Sequence, residues 1–114
     1  MTQDRKRNYR KKQTDNITAA STETGNVPPQ ATDIEEAVLG AMMVNTDSVD
    51  QVMDLLAPQS FYDTRNRVIF EAMLELFNER APIDMPTVVE KLRHKGTLNE
   101  IGGPARLAAL TQKV

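Results

Sequence analysis

From residue 32 onward apolar residues recur along this chain in blocks of helical period, and before that they are sparse. The densest block is 34–44, in which eight of eleven residues are apolar: Ile34, Ala37, Val38, Leu39, Ala41, Met42, Met43 and Val44. This predicts a helix over Thr32–Val44, opened by Thr32 and Glu35 at the spacing of a capping box. At about 100° per residue Ile34, Ala37, Val38 and Ala41 fall on one side, and Glu36, Gly40 and Met43 on the other. Apolar side chains wrap most of the circumference. The helix is therefore expected inside a bundle, with Ile34, Val38 and Met42 in the core. Gly40 would be a flat spot and Met43 an adaptable apolar tip on the outer stripe, the candidate surface for a partner helix.

The remaining blocks extend the same pattern. Thr46 or Asp47 can cap a second helix to about Leu56, with Val49, Val52, Met53 and Leu56 inward and Asp50, Gln51 and Asp54 outward. Ala57-Pro58 ends it. Phe61 is expected to plug the core, and Tyr62 to bury its ring with the hydroxyl in water. Asp63 or Thr64 opens the longest helix, to about Glu79. Its wide apolar face is Ile69, Phe70, Met73, Leu74, Leu76 and Phe77; Arg67 and Glu71, four apart, are spaced to pair. Asp84 stands at an N-cap with Pro86 in the first turn, and Gly96 is a left-handed stop. Met85, Val88, Val89 and Leu92 face inward there, while Lys91, Arg93 and Lys95 sit where the macrodipole favours cations. One turn around Leu98–Ile101, a break at Gly102-Gly103 and a last helix opened by Pro104 follow, with Leu107, Leu110 and Val114 on one stripe. No segment reads as a strand. The fold class is all-α, a compact irregular bundle of five or six short helices over 28–114. The last pattern has no stop signal, so the chain is expected to be a piece of something longer.

Residues 1–27 carry almost no apolar block that could offset the entropy of ordering, and are expected to be a disordered arm. Their basic run, RKRNYRKK at 5–12, is read as a solvated tail; contact with nucleic acid, with Tyr9 stacking, is the alternative. The formal charge of −2 divides into +3 over residues 1–31 and −5 over 32–114. An acidic folded part is a poor platform for phosphate contacts. Arg65 and Arg67, near a helix start, form a candidate anion site, against the ordinary reading of solvated arginines over the core edge.

Catalytic chemistry is missing. The chain has no cysteine and one histidine, His94, which falls in a polar helical turn, so neither a disulfide framework nor a zinc site is expected. There is no phosphate loop: GGPAR lacks the lysine and follows no strand. There is no G-x-S-x-G. No run approaches the roughly 18 apolar residues of a membrane span, and the charged N-terminus has no secretory core. A soluble, cytoplasmic interaction module follows.

Four segments in order resemble the N-terminal domain of the bacterial replicative DNA helicase, the DnaB family: IEEAVLGAMMVN from Ile34, FYDTRNRVIF from Phe61, PIDMPTVVEKL from Pro82 and IGGPARLAAL from Ile101. Pro28-Pro29 also fits. The resemblance implies a collar domain of a six-membered ring that unwinds duplex DNA at the replication fork. Its partners would be the other helicase subunits and primase, with DNA gripped mainly by a C-terminal RecA-like domain. ATP and magnesium would belong to that domain, so no cofactor and no catalysis are expected in this chain. In the family a helical hairpin follows the head and carries much of the pairing and primase contact; Leu107–Val114 would lead toward it. Arg106 stands where the family often has an aromatic. Glu36, Gly40, Met43 and Arg106 are the candidate interface residues. The competing reading is a small helical DNA-binding regulator that uses its basic arm.

Overall fold

Proline fits the first turn of a helix, where its missing N–H forfeits no bond, and the first helix among the described residues begins on one. Helix α1 runs Pro29–Val44. The computed structural model describes residues 29–114, with side chains from residue 31; the arm over 1–27 lies outside the described residues. A 3-10 turn at Thr46–Ser48 leads into α2, Val49–Leu55. A second such turn, Pro58–Ser60, precedes α3, Thr64–Asn78. Helix α4 spans Met85–Lys95 and α5 spans Gly103–Thr111. The described residues contain no strand, and the class is all-α.

Local chemistry sets most of these boundaries. The Asp63 carboxylate accepts from the Arg65 and Asn66 amides at 2.8 and 3.3 Å. Asp84 and Thr87 exchange side-chain to backbone bonds at 2.9 and 3.0 Å, a reciprocal cap on α4. Gly96, at φ 76°, closes that helix, and the Thr97 amide donates to the Leu92 carbonyl. At the end of α3 the left-handed position falls on Arg80, at φ 60°. Glycine would take that conformation with less strain.

The core gathers Leu39, Met42 and Met43 from α1, Ile69, Phe70, Met73 and Leu76 from α3, Val88 and Leu92 from α4, and Leu107 and Leu110 from α5. Phe61 plugs it as expected, its ring centroid 4.8 Å from that of Phe70. On the outside, Lys91 and Lys95 of α4 reach Glu75 of α3 and Glu79 just past its end, with Lys91 Nζ 2.7 Å from Glu79. These exposed pairs contribute about 0–1 kcal/mol each. They occupy the lysines more directly than the helix dipole does.

Three expectations are corrected. The first helix starts before Thr32, so Thr32 and Glu35 form no capping box; Glu35 turns instead to the segment ahead of α3. The orientation of α1 is also different. Ile34 is 62% exposed, whereas Met43 is 5% exposed and Gly40 is buried. The reason is α5: a Cβ on Gly40 would lie 2.1 Å from the Leu110 carbonyl oxygen, so the supposed outer stripe is where a neighbouring helix crosses. Finally, Val114 leaves the stripe of Leu107 and Leu110 and is 64% exposed.

Candidate interaction surface

A buried amide must find partners for both of its ends. Asn66 stands three and four residues before Ile69 and Phe70, on the apolar stripe of α3, and is fully buried. Its Nδ2 donates to Glu35 Oε1 at 3.0 Å, and its Oδ1 accepts from Arg106 Nη2 at 2.6 Å. Glu35 also accepts from the Tyr62 amide at 2.6 Å and the Asp63 amide at 3.3 Å. One carboxylate thus ties α1 to the loop that enters α3.

Arg106 Nη2 lies 3.3 Å from Glu36 Oε2, with the two side chains 11% and 15% exposed. The other Glu36 oxygen lies 2.8 Å from Lys113 Nζ. That hydrogen bond, together with the Glu36 charge, raises the Lys113 pKa above its ordinary value. The polar chain Glu35–Asn66–Arg106–Glu36–Lys113 therefore joins α1, α3, α5 and the residues after α5. Two acceptors, Asn66 Oδ1 and Glu36 Oε2, meet the Arg106 guanidinium here.

The four residues singled out from the sequence are thus engaged within the chain. Glu36 and Arg106 pair with each other, Gly40 receives α5, and Met43 lies in the core. Sequence reasoning missed Glu35, Asn66 and Lys113 as members of the polar chain. A signal existed for Asn66, a polar residue at a core register. Arg65 and Arg67 do not converge on an anion site: Arg65 Nε lies 3.8 Å from Asp63, and Arg67 donates to the Phe61 carbonyl at 3.1 Å. His94 is exposed, as expected.

The surface carries two further features. A groove of about 540 Å³ lies between the start of α2 and the end of α3, lined by Thr46, Val49, Asp50, Phe77, Arg80 and Ile83 among others. Large apolar side chains also stand in solvent: Leu55 is 80% exposed, Ile34 62% and Val44 55%. Among the described residues no cluster of His, Cys, Asp or Glu is arranged to hold a metal ion. No described helix is long and apolar enough to cross a membrane.

A family model of the DnaB-like helicase N-terminal domain matches residues 27–114. This chain belongs to that family. The replicative DNA helicase DnaB of Rhodothermus marinus is 40% identical over 98 residues, covering 86% of this chain and 10% of that protein. The DnaB helicases of Haemophilus influenzae and Geobacillus stearothermophilus are 36% and 35% identical, over 75% and 77% of this chain. The chain spans only 18% and 19% of those two relatives. Among solved structures, the crystal structure of the N-terminal domain of DnaB helicase from Mycobacterium tuberculosis is similar. It is 33% identical, with a TM-score of 0.70 over 72% of this chain and 57% of that one. The DnaB N-terminal head is thus the frame in which the polar chain and the groove are to be understood.

Proposed function

We propose that this chain is the N-terminal collar module of a hexameric replicative DNA helicase. It supports ring assembly and offers a docking surface for primase, and it catalyses no reaction itself. ATP and magnesium are bound by a RecA-like domain elsewhere in the helicase, and unwinding at the fork belongs to that domain. The protein works in the cytoplasm, and its contact with DNA runs mainly through the other domain. The family match across residues 27–114 carries this reading, and the likeness to a DnaB N-terminal head supports it.

The test measures binding of the chain to the helicase-binding domain of primase by calorimetry, alongside nucleotide turnover and a salt titration on duplex DNA. Binding to primase without ATP hydrolysis is expected. Turnover of nucleotide would end the proposal. Sub-micromolar duplex binding with a steep salt slope, lost on deleting residues 1–27, would favour a DNA-binding regulator instead.

A further inference from the structure

Glu36 of α1 holds two cations at once. Arg106 of α5 lies 3.3 Å from its Oε2, and Lys113, just past the end of that helix, lies 2.8 Å from its Oε1. The two cations are seven residues apart, close to two helical turns, so both project from one side of α5 and its continuation. The helical course does persist that far: the Gln112 and Lys113 amides donate to the Ala109 and Leu110 carbonyls at 3.1 and 3.0 Å. On α1, Glu36 and Gly40 are four apart and share a stripe. Gly40 admits the Leu110 backbone, and Glu36 stands one turn away to take the charges on either side of it.

The two cations are held very differently. Arg106 is 11% exposed and also donates to Asn66 at 2.6 Å. Lys113 is 40% exposed, and Gln112, Lys113 and Val114 are all exposed residues. Among the described residues, the Glu36–Lys113 pair is the sole polar tie from residues 112–114 to another helix.

We propose that Glu36 is a charge clamp that sets the direction of the chain where it leaves α5, with Arg106 as its fixed arm and Lys113 as its releasable one. Without the Glu36 charge, the Arg106 cation repels Lys113 and no buried side chain keeps residues 112–114 on course. Salt acts on the same arm, because an exposed pair is screened and a buried one much less so. Helicase segments that follow this head inherit the direction the clamp sets; that setting rests on the collar reading, while the clamp itself does not.

NMR relaxation of the full chain measures the backbone order of Gln112 and Lys113, with the amides of α3 as internal reference. In the parent their order parameters are expected near about 0.8, and in Lys113→Met to fall toward about 0.6, with α3 unchanged. Lys113→Arg keeps the cation and is expected to keep the order. Glu36→Gln still offers Arg106 an acceptor and is expected to loosen the exit as Lys113→Met does. Lys113 is exposed, so its two variants fold and decide the matter even where Glu36→Gln loosens the whole domain. At about 1 M salt, where the screening length is about 3 Å, the parent is expected to approach Lys113→Met, and Lys113→Met to stay as it was. Unchanged order in Lys113→Met, equal loss in Lys113→Arg, or a salt response that persists in Lys113→Met would each overturn the proposal. An exit that loosens as expected in a chain that does not bind primase leaves the clamp and removes the collar reading; primase binding with an exit indifferent to Lys113 does the reverse.

Discussion

Adding one methyl group at position 40 sets two effects against each other. In a helix interior, alanine is favoured over glycine by about 1 kcal/mol. At Gly40 the added Cβ would lie 2.1 Å from the Leu110 carbonyl oxygen and 2.9 Å from its carbon. The obstacle is backbone, so no rotamer change relieves it. Helix α5 would have to withdraw by more than about 1 Å to reach ordinary van der Waals separation. Leu107 and Leu110 hold it in place, at 0% and 1% exposure. Overpacking of this kind costs about 1–3 kcal/mol, and the upper end applies where backbone must move. Withdrawal also stretches the Arg106 contacts to Asn66 and Glu36.

The clash outweighs the propensity, and Gly40→Ala is expected to destabilise the domain by about 2 kcal/mol. For a domain of this size that lowers Tm by roughly 8–16 °C, read by circular dichroism and checked by urea titration. Gly96→Ala is the control: nothing lies within 4 Å of its Cβ, and it bears only the left-handed penalty of about 1 kcal/mol. A Gly40→Ala protein that melts at or above the parent would mean α5 does not cross there, and the packing argument would fail.

Asn66→Ala leaves Glu35 and Arg106 each short of a buried partner and should cost about 2–3 kcal/mol in urea unfolding; a loss within about 0.5 kcal/mol would mean that solvent reaches the site. Met43→Asp places a charge at a position 5% exposed, costing about 3–5 kcal/mol of a margin near 5 kcal/mol, so Tm should fall by about 12 °C or more, and a melt within a few degrees of the parent would refute it. Arg80→Gly removes left-handed strain and should raise stability by about 1 kcal/mol; a lower Tm would contradict the αL assignment. The Lys113 pKa is raised above 10.5 by Glu36. Its contribution is therefore complete below that value and lost as pH rises through the folded pKa. Parent and Lys113→Met should accordingly differ in stability at about pH 8 and converge at about pH 12; a gap that widens with alkali would show the sign is wrong.

Much of the fold was legible because it depends on neighbours in the chain. Asp63 and Asp84 cap helices, Pro86 sits in a first turn, and Gly96 ends a helix, each through groups only a few residues away. The face of α4 followed from period alone, since Val88 and Leu92 are apolar among charges. Helix α1 was different. With apolar residues on nearly every side it carries little directional signal. Its orientation fell to whichever element could come closest, and Gly40 admits α5. The same helix shows why Glu35 was misread: capping-box spacing is a local pattern, but its carboxylate serves amides 27 and 28 residues away.

Composition and periodicity alone determined an all-helical head, and the four ordered segments determined its family. Only tertiary structure decided which side of α1 faces inward, that Arg106 is held between Asn66 and Glu36, and that a groove opens beside α2. The physical reason is range. Caps and turns are satisfied within one or two turns of the chain, whereas a buried guanidinium or a glycine contact needs partners up to 70 residues away, and no local spacing records which partner arrives.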